Sequence, residues 1–358
     1  MFFLIALLIF FLMHALVIFW FCQNTLGFAL TTLTKFLPFA LTLIYILLFM
    51  AARKFNLWHL EAALLIYLGT LFIAFSIVAL LLILAFALKL LHLTLPINLG
   101  IPAFIALVLI ALVSLYTAAK TPTVKTINLQ APNLTENKKI AFVADTHFGA
   151  TVSKKRAEDL QKILIQENPD LILFGGDVFE TNYQDSIPYS EILANILPGK
   201  KLGVFGNHEY YIGLTQARNS FNKAGINLLE NTSRNFENIN IIGINDIKTS
   251  QITKQEFDNI LKKEIKPNAF NVLITHSPVY FEEAAKNGVD LMMSGHTHKG
   301  QIFPFNSLVR LTTPYVYGQF QEGKSNLIVT SGTFFWGPPM RFLTNNELII
   351  INLIGQKK

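Results

Sequence analysis

The first third of the chain has a different hydrophobic pattern from the remainder. It contains four almost uninterrupted apolar blocks, at residues 2–22, 36–52, 62–88 and 100–119. Three of them reach the roughly 20 residues that a helix needs to cross the hydrocarbon core, and the second is shorter but carries no charge. No block has the polar face that a helix at the surface of a soluble domain shows. We therefore predict four membrane-spanning helices, with three as the alternative if one block is re-entrant.

Beyond residue 138 the pattern changes to short apolar runs that alternate with amphipathic segments. Seven runs predict strands: KKIAFVAD, DLILFGGD, KLGVFGNH, INIIGIND, FNVLITH, VDLMMSGH and NLIVTSG. Amphipathic segments such as KKRAEDLQKILIQEN and KQEFDNILKKEI lie between several of them. This alternation favours an α/β domain with buried sheets. The predicted organisation is a transmembrane region at 1–120, a polar, turn-rich linker at 121–137 and a second domain at 138–358.

Composition and charge agree with a membrane protein. The chain is 52% hydrophobic and only 15% charged, which is too apolar for an ordinary soluble protein. Residues 1–120 contain five basic residues and one acid, so they carry about +4 of the net charge of +6. The second domain is therefore close to neutral, which argues against nucleic acid as a partner. The single cysteine, Cys22, excludes an intrachain disulfide and a cysteine-based zinc site.

The basic residues near the ends of the spans predict the topology. With the N-terminus inside, four basic residues lie on the inner side and two on the outer side: Arg53, Lys54, Lys120 and Lys125 against Lys35 and Lys89. The positive-inside rule then favours this orientation. With an even number of spans the second domain faces the cytoplasm, whereas one miscounted helix would reverse the assignment.

Five of the predicted strands end in side chains that bind metals or activate water. These are Asp145, His147, Asp177, Asn207, His208, His276, His296 and His298, and they include all five histidines after residue 120. For any one of these residues a purely structural role is the alternative to metal binding, since an Asp after a strand is often a cap or a turn residue. Likewise, two histidines with one residue between them lie on one face of a strand and can form a solvated edge. Because ligands bind beyond the carboxyl ends of strands in α/β sheets, the full set predicts one metal site.

The donor atoms restrict the metal and the reaction. A mixture of imidazole nitrogen and carboxylate or amide oxygen, without sulfur, suits Mn, Fe or Zn better than Ca or Mg. Two carboxylates, one asparagine and four of the five histidines make seven donors, which are too many for one tetrahedral ion and fit two divalent ions that share a bridging carboxylate. Two ions roughly 3.5–4 Å apart can bind both oxygens of an in-line phosphoryl displacement and lower the pKa of a bridging water.

The ordered series DTH, GGD, GNHE, THSP and GHTH resembles the calcineurin-like metallophosphoesterase superfamily over roughly residues 138–350. The resemblance implies a two-layer β-sandwich flanked by helices, with a dinuclear metal centre at the strand ends. It assigns Asp177 as the bridging ligand and His208 as a catalytic histidine that is not a ligand. The remaining ligands fall into two sets: Asp145, His147 and His298 for the first ion, and Asn207, His276 and His296 for the second. One departure is Glu180, which replaces the last Asp of the usual GDxxD block.

The segment SGTFFWGPPMRF, with the membrane spans, resembles a membrane-attached branch that includes transmembrane proteins with a metallophosphoesterase domain. That branch is similar to enzymes that cleave the pyrophosphate of UDP-2,3-diacylglucosamine in lipid A synthesis, which implies a lipid-linked substrate. Eight of the aromatic residues after the GHTH motif either pack in the core or form a lip for lipid: Phe303, Phe305, Tyr315, Tyr317, Phe320, Phe334, Phe335 and Trp336.

Three other functions remain open at this stage. The first is a membrane-tethered phosphatase that acts on soluble or protein phosphoesters. The second is a sensor or binding protein whose phosphoesterase domain is unreactive, although no ligand position is missing from the motifs. A nuclease is the third, and the near-neutral second domain argues against it. The pattern does not indicate an oligomeric state.

Overall fold

The computed structural model describes residues 2–26, 32–93 and 98–356. The chain divides into two compact units. One consists of Met1–Ala119 with the short segment Gly337–Phe342, and the other of Lys120–Trp336 with Leu343–Lys358. The first unit thus takes six residues from a part of the sequence that lies far beyond the apolar blocks.

Four long helices form most of the first unit, and a π-helical turn at Cys22–Leu26 follows the first of them. The helices are α1 (Phe2–Phe21), α2 (Thr32–Lys54), α3 (Trp58–Leu90) and α4 (Gly100–Ala119). Each is long and apolar enough to cross a membrane. Within the described residues the prediction of four candidate spans is confirmed.

The segment Gly337–Phe342 packs among these helices. The main-chain N–H of Arg341 donates a hydrogen bond of 2.9 Å to the carbonyl oxygen of Ser114 in α4. Gly69 in α3 has no room for a side chain, because a Cβ there would lie 2.6 Å from Sδ of Met340 and 3.0 Å from Cβ of Pro338. The prediction from sequence, which placed residues 138–358 in one domain, did not foresee this contribution. The hydrophobic blocks by themselves do not show which distant residues pack against them.

Twelve strands lie in the described part of the second unit. They are β1 (Thr123–Ala131), β2 (Lys138–Val143), β3 (Leu171–Phe174), β4 (Lys201–Gly203), β5 (Asn227–Leu228), β6 (Thr232–Phe236), β7 (Ile239–Ile244), β8 (Phe270–Thr275), β9 (Leu291–Ser294), β10 (Gly318–Glu322), β11 (Ser325–Val329) and β12 (Glu347–Gly355). Each of the seven apolar runs forms one of them. The strands missed from the pattern are mostly edge strands, whose polar composition weakens the hydrophobic signal.

The strands form two six-stranded sheets that pack face to face. The order is β1-β12-β2-β3-β4-β5 in the first sheet and β10-β11-β9-β8-β7-β6 in the second. Inward-facing side chains of both sheets share one buried core, which includes Phe142 and Leu173 from the first sheet and Ile241, Val272 and Met293 from the second. The predicted two-layer β-sandwich is therefore confirmed.

Seven α-helices lie in the described part of the second unit. They are α5 (Lys154–Glu167), α6 (Tyr183–Ala194), α7 (Asn207–Ile212), α8 (Leu214–Lys223), α9 (Lys254–Glu264), α10 (Phe281–Lys286) and α11 (Phe305–Thr312). Phe257 and Leu261 of α9 and Phe281 of α10 pack on Ile244 and Leu273 of the second sheet. The short helices α7 and α11 were not predicted, because six to eight residues are too few to show a clear helical period.

The predicted linker at 121–137 contains a strand of the sandwich. Strand β1 pairs in parallel with β12 along nine residues, from Thr123 opposite Glu347 to Ala131 opposite Gly355. The sequence feature that predicts this strand is the alternation of Ile127, Leu129 and Ala131 with polar neighbours. The turn-rich sequence that follows makes this alternation hard to recognise. The connection between the last membrane helix and the sheet is thus only the few residues between Ala119 and Thr123.

Candidate metal centre

The carboxyl ends of five strands deliver the predicted residues to one place. Asp145 and His147 follow β2, Asp177 follows β3, and His276 follows β8 directly. Asn207 and His208 open helix α7 after β4, and His296 and His298 follow β9. Seven of the eight side chains are buried, and that of His296 is half-buried. The structure therefore brings every predicted site residue into one cluster.

Three overlapping groups of side chains could hold a metal ion. Their members are Asp145, His147 and His298; Asp145, Asp177 and His276; and His147, Asp177 and His208, with ligand atoms inside each group within 4.8 Å of one another. In the first group the Nε2 atoms of His147 and His298 face each other at 3.1 Å. His208, predicted as a catalytic residue and not a ligand, thus lies within ligand distance of the cluster.

Asp177 lies at the centre of the cluster. Its Oδ2 atom is 3.1 Å from Nε2 of His276, 3.7 Å from Nε2 of His147 and 3.8 Å from Nε2 of His208. Its Oδ1 atom accepts a hydrogen bond of 2.9 Å from the main-chain N–H of His208. One carboxylate oxygen is held by the backbone, and the other faces histidines from both sides of the site.

Asn207 and His296 complete the side of the cluster next to His276. Nδ1 of His296 lies 3.0 Å from Oδ1 of Asn207, and the rings of His276 and His296 are 5.0 Å apart. The main-chain N–H of His296 also donates to both oxygens of Asp145, at 3.0 and 3.1 Å. The two predicted sets of ligands are therefore in direct contact.

The surroundings of His276 fit a divalent cation. Its Nδ1–H donates a hydrogen bond of 2.9 Å to the carbonyl oxygen of Gly175, which turns Nε2 towards the carboxylates. That buried Nε2 lies 3.1 Å from Oδ2 of Asp177, in an orientation that is poor for a hydrogen bond. Burial alone would lower the pKa of His276, but the charges of Asp177 and Asp145 outweigh it and hold the pKa well above its usual value. A bound cation would supply the positive charge that these carboxylates otherwise draw from a proton.

The backbone of the site is strained. Five candidate ligands have positive φ angles: Asp145 (56°), His147 (44°), Asp177 (50°), His296 (72°) and His298 (47°). Residues other than glycine adopt this left-handed region at a cost, and such strain concentrates at functional sites.

The expectation that the two histidines of GHTH share one face of a strand is wrong. Strand β9 ends at Ser294, and the left-handed turns beyond it direct the two rings into the cluster.

Glu209 organises the loops beneath the ligands. This fully buried carboxylate accepts hydrogen bonds from the main-chain N–H groups of Asp177, Val178, Phe179 and Gly206, at 2.8 to 3.2 Å. It therefore joins the loop after β3 to the start of α7. Glu209 belongs to the GNHE motif, and no role was predicted for it. The sequence feature that could have indicated a role for Glu209 is its position as the last residue of a motif at the end of a strand.

Glu180 lies between a candidate ligand and the candidate catalytic residue. Its Oε2 atom accepts hydrogen bonds from Nδ1 of His147 at 2.6 Å and from Nδ1 of His208 at 2.9 Å. Burial would raise the pKa of Glu180, but these two hydrogen bonds outweigh it and lower the pKa to about 2. Burial likewise opposes charge on His208, yet Glu180 and Asp177 raise its pKa to about 9. The glutamate that departs from the usual motif thus fixes both rings.

The aromatic residues after the GHTH motif divide between core and surface. Phe334 and Phe335 are fully buried, and Tyr315 and Phe320 pack beside the outer core of the second sheet. Phe303, Phe305 and Trp336 are exposed. The ring of Trp336 lies 5.8 Å from that of His208, and the side-chain amide of Gln301 holds its main chain by two hydrogen bonds of 2.8 and 2.9 Å. Core packing thus accounts for several of these aromatic residues, and three are exposed.

Comparison with known proteins agrees with this geometry. Residues 138–300 match the calcineurin-like phosphoesterase family. A metallophosphoesterase of Aquifex aeolicus is 31% identical over 225 residues, which cover 61% of this chain and 85% of the relative. The chain belongs to the calcineurin-like phosphoesterase family. A Campylobacter jejuni metallophosphoesterase is 33% identical over 250 residues, and the match covers 68% of this chain and 66% of that protein.

A further relative has a name that refers to the membrane. A Danio rerio protein called transmembrane protein with metallophosphoesterase domain is 26% identical over 271 residues, which cover 70% of this chain and 62% of its own length. With the four candidate spans, this relative supports a membrane protein. The chain is thus a calcineurin-like phosphoesterase with a buried His/Asp cluster suited to divalent metal and with four helices of membrane-spanning length.

Proposed function

We propose that this family member is a membrane-anchored enzyme that hydrolyses a lipid-linked phosphodiester or pyrophosphate. The observation that carries the proposal is the position of His208. Glu180 holds its Nδ1, and its Nε2 faces Asp177 in the middle of the metal-binding cluster. A buried histidine in this position is suited to act on a phosphoryl group at the strand ends.

The ligand roles follow the contacts in the cluster. Asp177 would bridge two ions, since its Oδ2 atom faces histidines of both sets. Asp145, His147 and His298 would hold the first ion, and Asn207, His276 and His296 would hold the second. Mn, Fe and Zn all fit this mixture of nitrogen and oxygen donors. When bound, such ions polarise phosphoryl oxygens and lower the pKa of a coordinated water.

His208 neutralises the phosphoryl oxygens or protonates the leaving group. Burial lowers the pKa of His208, but the hydrogen bond to Glu180 outweighs it and raises the pKa, which favours the cationic ring. A cation next to developing negative charge stabilises the transition state, and the same ring carries a transferable proton at Nε2. Glu180 and the main-chain hydrogen bond to Asp177 orient the ring for either role.

The membrane helices and the exposed aromatic residues support a lipid-linked substrate. Trp336 borders His208, and Phe303 and Phe305 are exposed on the segment that follows the last candidate ligand. Apolar side chains beside a phosphoesterase site suit a substrate with acyl chains. UDP-2,3-diacylglucosamine, suggested by the sequence resemblance, is the first such substrate to assay. We also propose, from the positive-inside rule, that the domain faces the cytoplasm.

The test uses the full chain in detergent, stripped of metal and reloaded with Mn, Zn or Fe. Hydrolysis of UDP-2,3-diacylglucosamine is measured beside a chromogenic phosphodiester and a chromogenic monoester. The variants His208→Ala and Asp177→Ala remove the proposed catalytic group and the proposed bridging ligand. His59→Ala is the matched control, because His59 is exposed at the start of α3, outside the described metal cluster.

We expect metal-dependent hydrolysis that His208→Ala and Asp177→Ala reduce at least about 100-fold, since a general acid contributes roughly that much. Preference for the acylated substrate over the chromogenic esters would support the lipid-linked assignment. Equal or faster hydrolysis of soluble esters would favour a tethered phosphatase. A folded protein that binds metal and hydrolyses none of the three would instead be a binding or sensing protein.

A further inference from the structure

A cavity lined by two lysines lies beside the metal cluster. It has a volume of about 240 Å³, and its lining includes Lys125, Lys299, Tyr317, Ser331 and Glu347. All of these residues belong to the second unit. None of them was assigned to the site in the sequence analysis. We refer to this space as the two-lysine cavity.

The two lysines share one aromatic ring. Nζ of Lys299 lies 4.4 Å from the ring centre of Tyr317, and Nζ of Lys125 lies 4.9 Å from it. Lys125 also donates a hydrogen bond of 3.4 Å to the hydroxyl oxygen of Tyr317. Among the residues that the structure describes, neither ammonium group has a carboxylate within 4.0 Å. Two cations at one ring repel each other, and an anion between them would relieve that repulsion.

Glu347 does not provide this anion. Its Oε2 atom accepts a hydrogen bond of 2.9 Å from the hydroxyl of Tyr317. Its Oε1 atom accepts hydrogen bonds from the hydroxyl of Thr330 at 2.9 Å and from the main-chain N–H of Ser331 at 2.8 Å. The carboxylate is thus engaged by three neutral donors. Burial, with the negative charge of Glu347, raises the pKa of Tyr317 to about 12, so Tyr317 keeps its proton.

The backbone of Lys299 is strained. Its φ and ψ angles are 53° and 27°, in the left-handed region that glycine adopts without cost. A lysine at such a position lowers the stability of the fold, and backbone strain of this kind is concentrated at functional sites. The long side chain of Lys299 reaches the ring of Tyr317, which a glycine would leave uncovered.

Two chain segments connect the cavity with the metal cluster. Lys299 directly follows the candidate ligand His298. Ser331 precedes Gly332, where a Cβ would lie 3.0 Å from both Cβ of Asp145 and Nδ1 of His298. Lys125 lies near the start of β1, six residues after the end of α4 at Ala119.

We propose that the two-lysine cavity binds a phosphate group between the ammonium groups of Lys125 and Lys299. The group belongs either to an anionic lipid headgroup or to a free phosphate. Phosphate matches the two ammonium donors in charge and hydrogen bonding. The proposal concerns binding alone and holds whether or not the metal cluster hydrolyses any ester.

The test measures the thermal unfolding midpoint of the full, metal-free chain in detergent at constant ionic strength. The added ligands are inorganic phosphate, phosphatidic acid, and diacylglycerol as the lipid without a phosphate group. The variants are Lys125→Met and Lys299→Gly, and the latter also suits the left-handed backbone. Lys324→Met is the matched control, since Lys324 is exposed in the turn between β10 and β11.

We expect a phosphate ligand to raise the midpoint of the wild type and of Lys324→Met. In Lys125→Met and Lys299→Gly the apparent affinity should fall about tenfold or more, as expected when one charged hydrogen bond is lost. A rise with inorganic phosphate identifies free phosphate as a ligand. A rise with phosphatidic acid alone identifies a lipid headgroup. Equal rises in all four proteins, no rise with either phosphate ligand, or an equal effect of diacylglycerol would overturn the proposal.

Discussion

Glu180 accepts a hydrogen bond of 2.9 Å from Nδ1 of His208, and the same carboxylate oxygen accepts one of 2.6 Å from Nδ1 of His147. A single side chain thus orients a candidate ligand and the candidate catalytic group. It also raises the pKa of His208, because a carboxylate favours the protonated ring. Ligand geometry and the charge of the catalytic group are therefore coupled through one residue.

Glu180→Gln should reduce activity and change its pH dependence. Loss of the negative charge lowers the pKa of His208, so the decline of activity at high pH should begin about 1–2 pH units lower, the equivalent of one charged hydrogen bond. The measurement is kcat/KM of the metal-loaded enzyme between pH 6 and pH 10, with metal content determined in parallel. Glu322→Gln, an exposed control, should leave the profile unchanged. An unchanged profile in Glu180→Gln, with full metal content, would show that Glu180 does not control the proton of His208.

Glu209→Gln should destabilise the metal centre. The carboxylate accepts hydrogen bonds from four main-chain N–H groups, whereas the amide has one acceptor oxygen and adds two donors to a site that already contains donors. We expect a loss of about 2 kcal/mol or more in unfolding free energy and weaker metal binding. Thermal unfolding and metal titration measure the two effects. Wild-type stability and metal affinity in Glu209→Gln would contradict this role of the carboxylate.

Gly295→Ala should weaken metal binding while most of the fold remains. A Cβ at this position would collide with the carboxylate of Asp145 and lie 2.9 Å from Cβ of Ala144. The candidate ligand must therefore move. Ser294→Ala is the matched control, since Oγ of Ser294 is buried without a hydrogen-bond partner in the described structure. Metal stoichiometry and circular dichroism distinguish a displaced ligand from an unfolded domain, and full metal content in Gly295→Ala would rule out the proposed collision.

Lys201 should make stability depend on pH in the alkaline range. Its side chain is fully buried, and burial lowers the pKa to about 8 from 10.5. Between these two values the unfolded chain binds more protons than the folded chain, so the contribution of Lys201 to stability rises with pH. The thermal unfolding midpoint of the wild type, relative to that of Lys201→Met, should therefore increase between about pH 8 and pH 10. Lys200→Met, at the exposed neighbouring position, should show no such trend.

The sequence by itself determined the four candidate membrane helices, the α/β alternation and the members of the metal cluster, and its family resemblance implied the sandwich. Long apolar blocks have few alternatives to membrane helices, and short buried strands carry strong hydrophobic signals. The ligand positions were predictable because chemically distinctive residues recur where strands end, as with Asp177 after β3 and His276 after β8.

Only the tertiary structure decided how these residues are held and what else surrounds them. The left-handed backbone at His296 and His298 replaces the strand that the HTH spacing suggested, because loop conformation depends on packing and not on residue spacing. The support from Glu180 and Glu209, the entry of Gly337–Phe342 into the helical unit and the meeting of Lys125 with Lys299 all join residues far apart in sequence. Such contacts arise from the packing of sheets and loops, which the local sequence pattern does not encode.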